Sequence, residues 1–254
     1  MAYQYKHHRR NHLILPGRER ALEEFLNQTH EGVRHKQAHK RNPNSEDALT
    51  WSCFEMLASL PALRRRAVLA EVFEDAYAGR EAPIFGDGDD DADGDGLNDG
   101  EPAIHIGKTY AGRTCGESTE VDASIESRGA LVFFEAKLYS SMSMATDAKR
   151  DQIARKLRVG VDAPLGDARA FFFIFLDIAP LEHLRALRRG AELGGGSGFT
   201  DKWKSAHIFA QYKRGENLDD ALAGIPSPSA QAVARRMGWL TWGSLFKSIL
   251  RGMV

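Results

Sequence analysis

The sequence predicts an α/β protein, a three-layer α/β/α core around a mixed central sheet. Three observations predict it. Val121, Ala123 and Ile125 alternate with Glu120, Asp122, Ser124 and Glu126, and after Ser127-Arg128-Gly129 comes a Val- and Phe-rich run at 130–138. Period-two alternation, a Gly-containing break and a β-rich run read as a β-hairpin. Residues 145–157 then read as a helix, with Ile153 and Leu157 turned inward. Residues 170–178, AFFFIFLDI, have the length and aromatic content of a buried strand. Hairpin, helix and buried strand in that order fit helices on both sides of a sheet with mixed pairing.

The remaining elements follow in chain order. A length of 254 residues is enough for one large domain with its own core, and 43% hydrophobic with 27% charged residues is ordinary for a globular protein. Residues 1–44 are basic and His-rich, with nine Lys or Arg against four Glu and six of the nine histidines. They are expected to form a solvated terminal arm, with a phosphate-contacting arm as the competing reading. Ser45 is the expected N-cap of a helix over 45–60, whose apolar stripe is Leu49, Cys53, Leu57 and Leu60. Glu46 lies on that stripe one turn before Leu49, where an acid looks toward a site. Glu55, on another face, is the second choice. Pro61 ends this helix and a second runs to about Tyr77. Residues 104–110 are expected as a strand, residues 203–212 as another, and the chain from Leu218 as mostly helical. Trp239, Trp242, Phe246 and Ile249 would then pack at helical spacing.

The formal net charge of −1 gives no global signal for nucleic acid, although local patches matter more than the sum. Cys53 and Cys115 make no disulfide framework and no zinc motif. With no signal peptide or membrane span visible, a cytoplasmic location without a membrane partner is expected.

The chemistry concentrates on the hairpin. Side chains two apart on a strand share a face, so Glu135 and Lys137 project together while Ala136 points away. If the hairpin closes near Arg128, Asp122 falls opposite Glu135. Two carboxylates and an ammonium then sit beside a strand that is apolar on both faces, and charges there must be paired or must hold a metal. A solvated Glu-x-Lys pair with a cross-strand acid is the plainer alternative.

Asp122 followed by Glu135-Ala136-Lys137 resembles the Asp…(Asp/Glu)-x-Lys signature of the PD-(D/E)XK nucleases, the restriction-endonuclease-like superfamily. The resemblance spans residues 45–178 in motif order, and Val121 stands where the family often has Pro. It implies a restriction-endonuclease-like core and a Mg²⁺-dependent (or Mn²⁺-dependent) nuclease of a restriction- or repair-like kind. The expected partner is nucleic acid, DNA first, with a homodimer left open. Asp122 and Glu135 would hold the metal, with the Ala136 carbonyl as a third ligand and Glu46 as the acid such nucleases carry on the first core helix. Gln152 matches the Gln on the helix after the Glu-x-Lys strand. Lys137 would hold or deprotonate the attacking water, its pKa pushed down beside the metal. Such a cation suits the chemistry, because in-line attack on phosphorus leaves charge that a hard, oxygen-ligated ion stabilises. Arg150, Arg155 and Lys156 would give the helix a basic side for the phosphate backbone. On this reading the nuclease-like core is 45–214, and 215–254 is a C-terminal helical extension.

An Asp/Gly-rich insertion lies at 85–102. Asp91, Asp93, Asp95 and Asp99 are spaced like the ligands of bacterial calcium loops, but the closing Glu of an EF-hand is absent in either register. Ca²⁺ binding here competes with a flexible acidic insertion. Two other function classes stay open: a catalytically silent nucleic-acid-binding protein on the same scaffold, and a calcium-binding interaction module.

Overall fold

A computed structural model describes residues 4–29, 34–83, 101–138, 150–167, 169–180, 204–226 and 228–254. The acidic calcium-loop candidates Asp91, Asp93, Asp95 and Asp99 lie outside them, as do residues 139–149 after the Glu-x-Lys strand.

The centre is a five-stranded mixed sheet in the order β1-β2-β3-β4-β5. Strands β1 (Ala103–Ala111), β2 (Ser118–Glu126) and β3 (Ala130–Ala136) form an antiparallel meander. β4 (Ala170–Asp177) and β5 (Met237–Thr241) join parallel to β3. All of β3 is buried, as expected of a strand covered on both faces. On one face Val132, Phe134 and Ala136 pack under α3 (Glu46–Ser59), α4 (Ala62–Tyr77) and the C-terminal helix. On the other, Leu131 and Phe133 meet α5 (Gln152–Asp162) and α6 (Lys204–Lys213). Each fully buried Phe contributes about 1.5–3 kcal/mol relative to exposure. The α/β expectation is met, with a core cluster on either face of the sheet.

Local signals explain α3 and α5. The Ser45 hydroxyl accepts from Ala48 N at 3.3 Å, and the Asp151 carboxylate accepts from Ala154 N at 2.8 Å, so each helix starts at a side-chain cap. Gly160 lets α5 approach the sheet: a Cβ there would stand 2.1 Å from the Phe171 ring of β4.

Three expectations are corrected. Residues 203–212 were expected as a strand, but Lys204–Lys213 is helical. The buried residues Ala206, Phe209, Ala210 and Tyr212 recur at helical spacing, which the apparent alternation of Ile208, Ala210 and Tyr212 masks. The region 215–254 is not a helical extension. Short helices α7 (Leu218–Leu222) and α8 (Ala230–Arg235) lead into β5, and Trp239 sits in that strand. Only α9 (Trp242–Met253) carries the helical spacing of Trp242, Leu245 and Ile249. Residues 1–44, finally, are not merely a solvated arm. α1 (Glu19–Asn27) buries Leu22, Phe25 and Leu26 with Trp51, while buried Lys36 of α2 (His35–His39) pairs with Glu120 of β2. Among the described residues no helix is long and apolar enough to cross a membrane.

Candidate active site

The parallel pairing of β3 with β4 brings charged strand ends to one edge of the sheet. The β2/β3 ladder runs through Ala123↔Phe134, so its next step sets Asp122 opposite Glu135, as expected. Asp122 Oδ2 accepts from Ala136 N at 2.7 Å. Across β2, the pairs Ile106↔Ala123 and Lys108↔Val121 leave Gly107 facing Asp122, and Gly107 has φ +66°. The positive φ favours glycine there, and a Cβ would in addition displace the end of the Gln28 side chain, 2.5 Å away.

Beyond Glu135 the chain is held by groups distant in sequence. Lys137 N continues the β4 ladder to Leu176 O at 2.8 Å. Leu138 N donates to Glu46 Oε2 at 2.7 Å, and Trp242 Nε1 donates to Lys137 O at 3.0 Å. The helix N-terminus of α3 and that of α9 therefore both clamp the Glu-x-Lys turn.

The side chains converge. Lys137 Nζ lies 2.6 Å from Glu135 Oε1, 3.3 Å from Glu46 Oε1 and 3.0 Å from the Ala136 carbonyl. Lys156, from α5, donates to Glu135 Oε2 and stands 3.5 Å from Asp122 Oδ1. Asp177, at the end of β4, is buried and feels both Glu46 and Lys137. Glu135 is wholly buried, whereas the side chains of Asp122 and Glu46 keep 23% and 21% of their exposure, so the cluster opens to solvent through those two acids.

Four carboxylates thus share two ammoniums in a largely desolvated space. Burial, and then Glu135, push the Asp122 carboxyl up from its ordinary range. Burial alone would raise Glu135, but Lys137 and then Lys156 outweigh it and hold it low. Burial raises Asp177 to about 6. Burial disfavours the Lys137 ammonium, yet Glu135, Glu46 and Asp122 overcome this and raise it. The expectation of a lysine pushed down into the role of a base concerns the site with a metal bound; the acids by themselves hold the proton on Lys137. Among these acids Lys137 is a firmly held cation, suited to orienting a water or a phosphate oxygen.

Of the sequence-predicted residues, Glu46, Asp122, Glu135, Ala136 and Lys137 are brought together. Gln152 is not: it opens α5 and makes no hydrogen bond to the cluster among the described residues, and Lys156, one turn further, reaches in instead. Lys156 is thus not part of a basic outer side. The alternative acid Glu55 is remote from the cluster and pairs with Arg18. Asp177 and Lys156 were missed. For Asp177 the signal was an acid ending an otherwise apolar strand, since a buried charge needs a partner. For Lys156 it was the position four residues after Gln152, on the same helical face.

The donor set fits a hard divalent cation. Among the described residues no three carboxylate, His or Cys side chains group at ligand spacing. Mg²⁺, however, is commonly held by one or two carboxylates, with waters and substrate oxygens completing its shell. Asp122, Glu135 and the Ala136 carbonyl supply such a set. Glu135 Oε1 is buried and makes no hydrogen bond of good geometry despite the nearby Lys137. Comparison with protein-family models, curated proteins and solved structures found no match for the chain.

Proposed function

We propose that the protein is a metal-dependent nuclease that hydrolyses phosphodiester bonds, with DNA as the first substrate to test. One observation carries this reading. Asp122, Glu135 and Glu46, from two strands and a helix, gather around Lys137 at an edge of the sheet that opens to solvent. The restriction-endonuclease-like resemblance is part of the same proposal, as is the order of roles it implies.

Asp122 and Glu135 would hold Mg²⁺ or Mn²⁺, with the Ala136 carbonyl beside them. When bound, the ion supplies an activated water and charge stabilisation at the leaving oxygen. Ala136 N fixes the Asp122 carboxylate through Oδ2, so Oδ1, beside Lys156, is oriented before any ligand arrives. Lys137, cationic and pinned between acids, positions the attacking water and offsets negative charge at phosphorus. Glu46 positions Lys137 and the Leu138 backbone at once. Lys156 holds Glu135 and reduces repulsion between the two carboxylates.

The test is cleavage of labelled DNA with Mg²⁺ or Mn²⁺ against an EDTA control. Asp122→Ala and Lys137→Ala should each lower metal-dependent cleavage by at least about 100-fold, the scale of a lost positioned catalytic group, with the fold retained by circular dichroism. Wild-type-level cleavage by either variant would falsify the assignment.

A second reading has its own support. Lys156 already places an ammonium between Asp122 and Glu135, and an internal cation in that position is what a silent nucleic-acid-binding protein on this scaffold would use in place of a metal. It predicts DNA binding that is indifferent to EDTA and no hydrolysis with either ion.

A further inference from the structure

A second feature sits two strands along the same sheet edge, and its meaning rests on the nuclease reading. A cavity of about 540 Å³ opens where β5 passes into α9. Among the described residues, Arg80, Lys213, Arg214 and Lys247 line it, against the single carboxylate of Asp75. That local excess of positive charge belongs to a chain whose net charge is −1. Lys247 is offset by Asp75 at 3.2 Å and Arg214 is held by Glu216 at 2.6 Å, whereas Arg80 is exposed and makes no ion pair among the described residues.

The cavity is linked to the carboxylate cluster through strand register. Thr241, in its lining, is the register partner of Asp177, and Leu240 pairs with Leu176, which pairs with Ala136. Trp242, the next residue, anchors Lys137 O. With neighbouring strands roughly 4.8 Å apart, β5 lies about 10 Å from β3. The cavity is thus within a few nucleotides' reach of the cluster along one strand. Carboxylates, which would repel a polyanion without a cation, thus stand at one end of this edge, and arginines and lysines at the other.

We propose that this cavity binds a phosphate of the nucleic-acid strand a few nucleotides from the scissile bond, and so sets the strand's position across the cluster. The phosphate is either internal or terminal. Arg80 and Arg214 make the direct contact, while Lys247 and Lys213 fix the walls through Asp75 and Met237 O.

The experiment measures binding of a short 3′-labelled DNA strand, with and without a 5′-phosphate, in EDTA by fluorescence anisotropy. The proteins are the wild type, Arg80→Gln/Arg214→Gln and Asp122→Ala, with thermal unfolding recorded for each. The double variant should bind about tenfold more weakly, and its dependence of log K on log salt should flatten by about 0.7 per lost cation. Asp122→Ala should bind no worse than the wild type. A 5′-phosphate that tightens wild-type but not double-variant binding assigns the cavity to a strand end; equal affinity for both strands assigns it to an internal phosphate. Unchanged affinity and salt slope in a folded double variant, or no wild-type binding, overturns the proposal. Were the wild type to cleave and the double variant to do so with unchanged KM, the cavity would fall and the cluster stand. Were nothing to cleave while the binding difference persisted, the nuclease reading would fall and the cavity stand.

Discussion

Asp122 and Glu126 lie on the same strand, at the two ends of its pairing with β3, and their surroundings differ in kind. Glu126 is a single acid among donors: Lys108, Arg169 at 3.0 Å, the Tyr110 hydroxyl at 2.7 Å and His105 at 3.4 Å. Burial would raise it, but hydrogen bonds from Lys108 and Tyr110 more than offset that and lower it. Asp122 belongs to a group in which Glu46, Glu135 and Asp177 outnumber Lys137 and Lys156, and its carboxyl is raised. One end is a closed ion-pair network with nothing left to satisfy. The other is short of positive charge. Only an end with such a shortfall gains by taking up a cation, which is why the functional reading settles there.

The contrast breaks most sharply if one acid is removed from each end. Glu135→Ala leaves Lys137 and Lys156 as buried ammoniums without their common partner. It should cost about 3–5 kcal/mol in urea unfolding, whereas Glu126→Gln, in a partly exposed network, should cost about 1 kcal/mol or less. Similar losses from both would erase the distinction.

A cation should act on one end alone. Saturating Mg²⁺ at about 100 times its Kd should stabilise the protein by about 2.7 kcal/mol, read as a rise in Tm. Asp122→Asn should abolish that rise and Glu126→Gln should leave it intact. A metal-dependent shift that survives Asp122→Asn would place the ion elsewhere.

The smallest effect is in pH. Asp177 has a folded pKa of about 6 against an ordinary 3.8, so the folded state holds its proton more tightly than the unfolded chain. Its contribution to stability is therefore present at low pH and is lost as pH rises between those values. Glu126 is lowered, so its contribution has the opposite sign: it is present above the ordinary carboxylate range and lost as pH falls below it. Without metal, Asp177→Asn should flatten the decline in stability between about pH 4 and 6, measured by urea unfolding across that range. Glu126→Gln should leave that decline in place and flatten the acid limb.

Much of this was legible in the residues, and the exceptions have physical causes. The hairpin register put Asp122 against Glu135 because alternation and the Ser127-Arg128-Gly129 break leave little freedom of slip. Glu46 was legible from one helical turn of spacing, and Ser45 from its capping chemistry. The strand expected at 203–212 was wrong because the alternation of Ile208, Ala210 and Tyr212 masks the helical spacing of Ala206, Phe209 and Ala210, which are buried. Likewise Trp239 and Trp242 share a helical spacing but lie on either side of a strand-to-helix junction. Gln152 and Lys156 compete for one helical face, and the choice between them depends on how closely α5 approaches β4, a distance set by Gly160 against Phe171.

By itself, the order of residues determined the α/β class, the pairing of Asp122 with Glu135, and the placing of Lys137 on the same face as Glu135. These follow from periodicities of two and 3.6, which act between neighbours in the chain. Only tertiary packing decided that Lys156, Asp177 and Trp242 would join them, that β5 would complete the sheet, and that a basic cavity would open two strands away. Those relations link residues far apart in the chain, and they are fixed by parallel strand pairing and close helix approach. No local pattern encodes either.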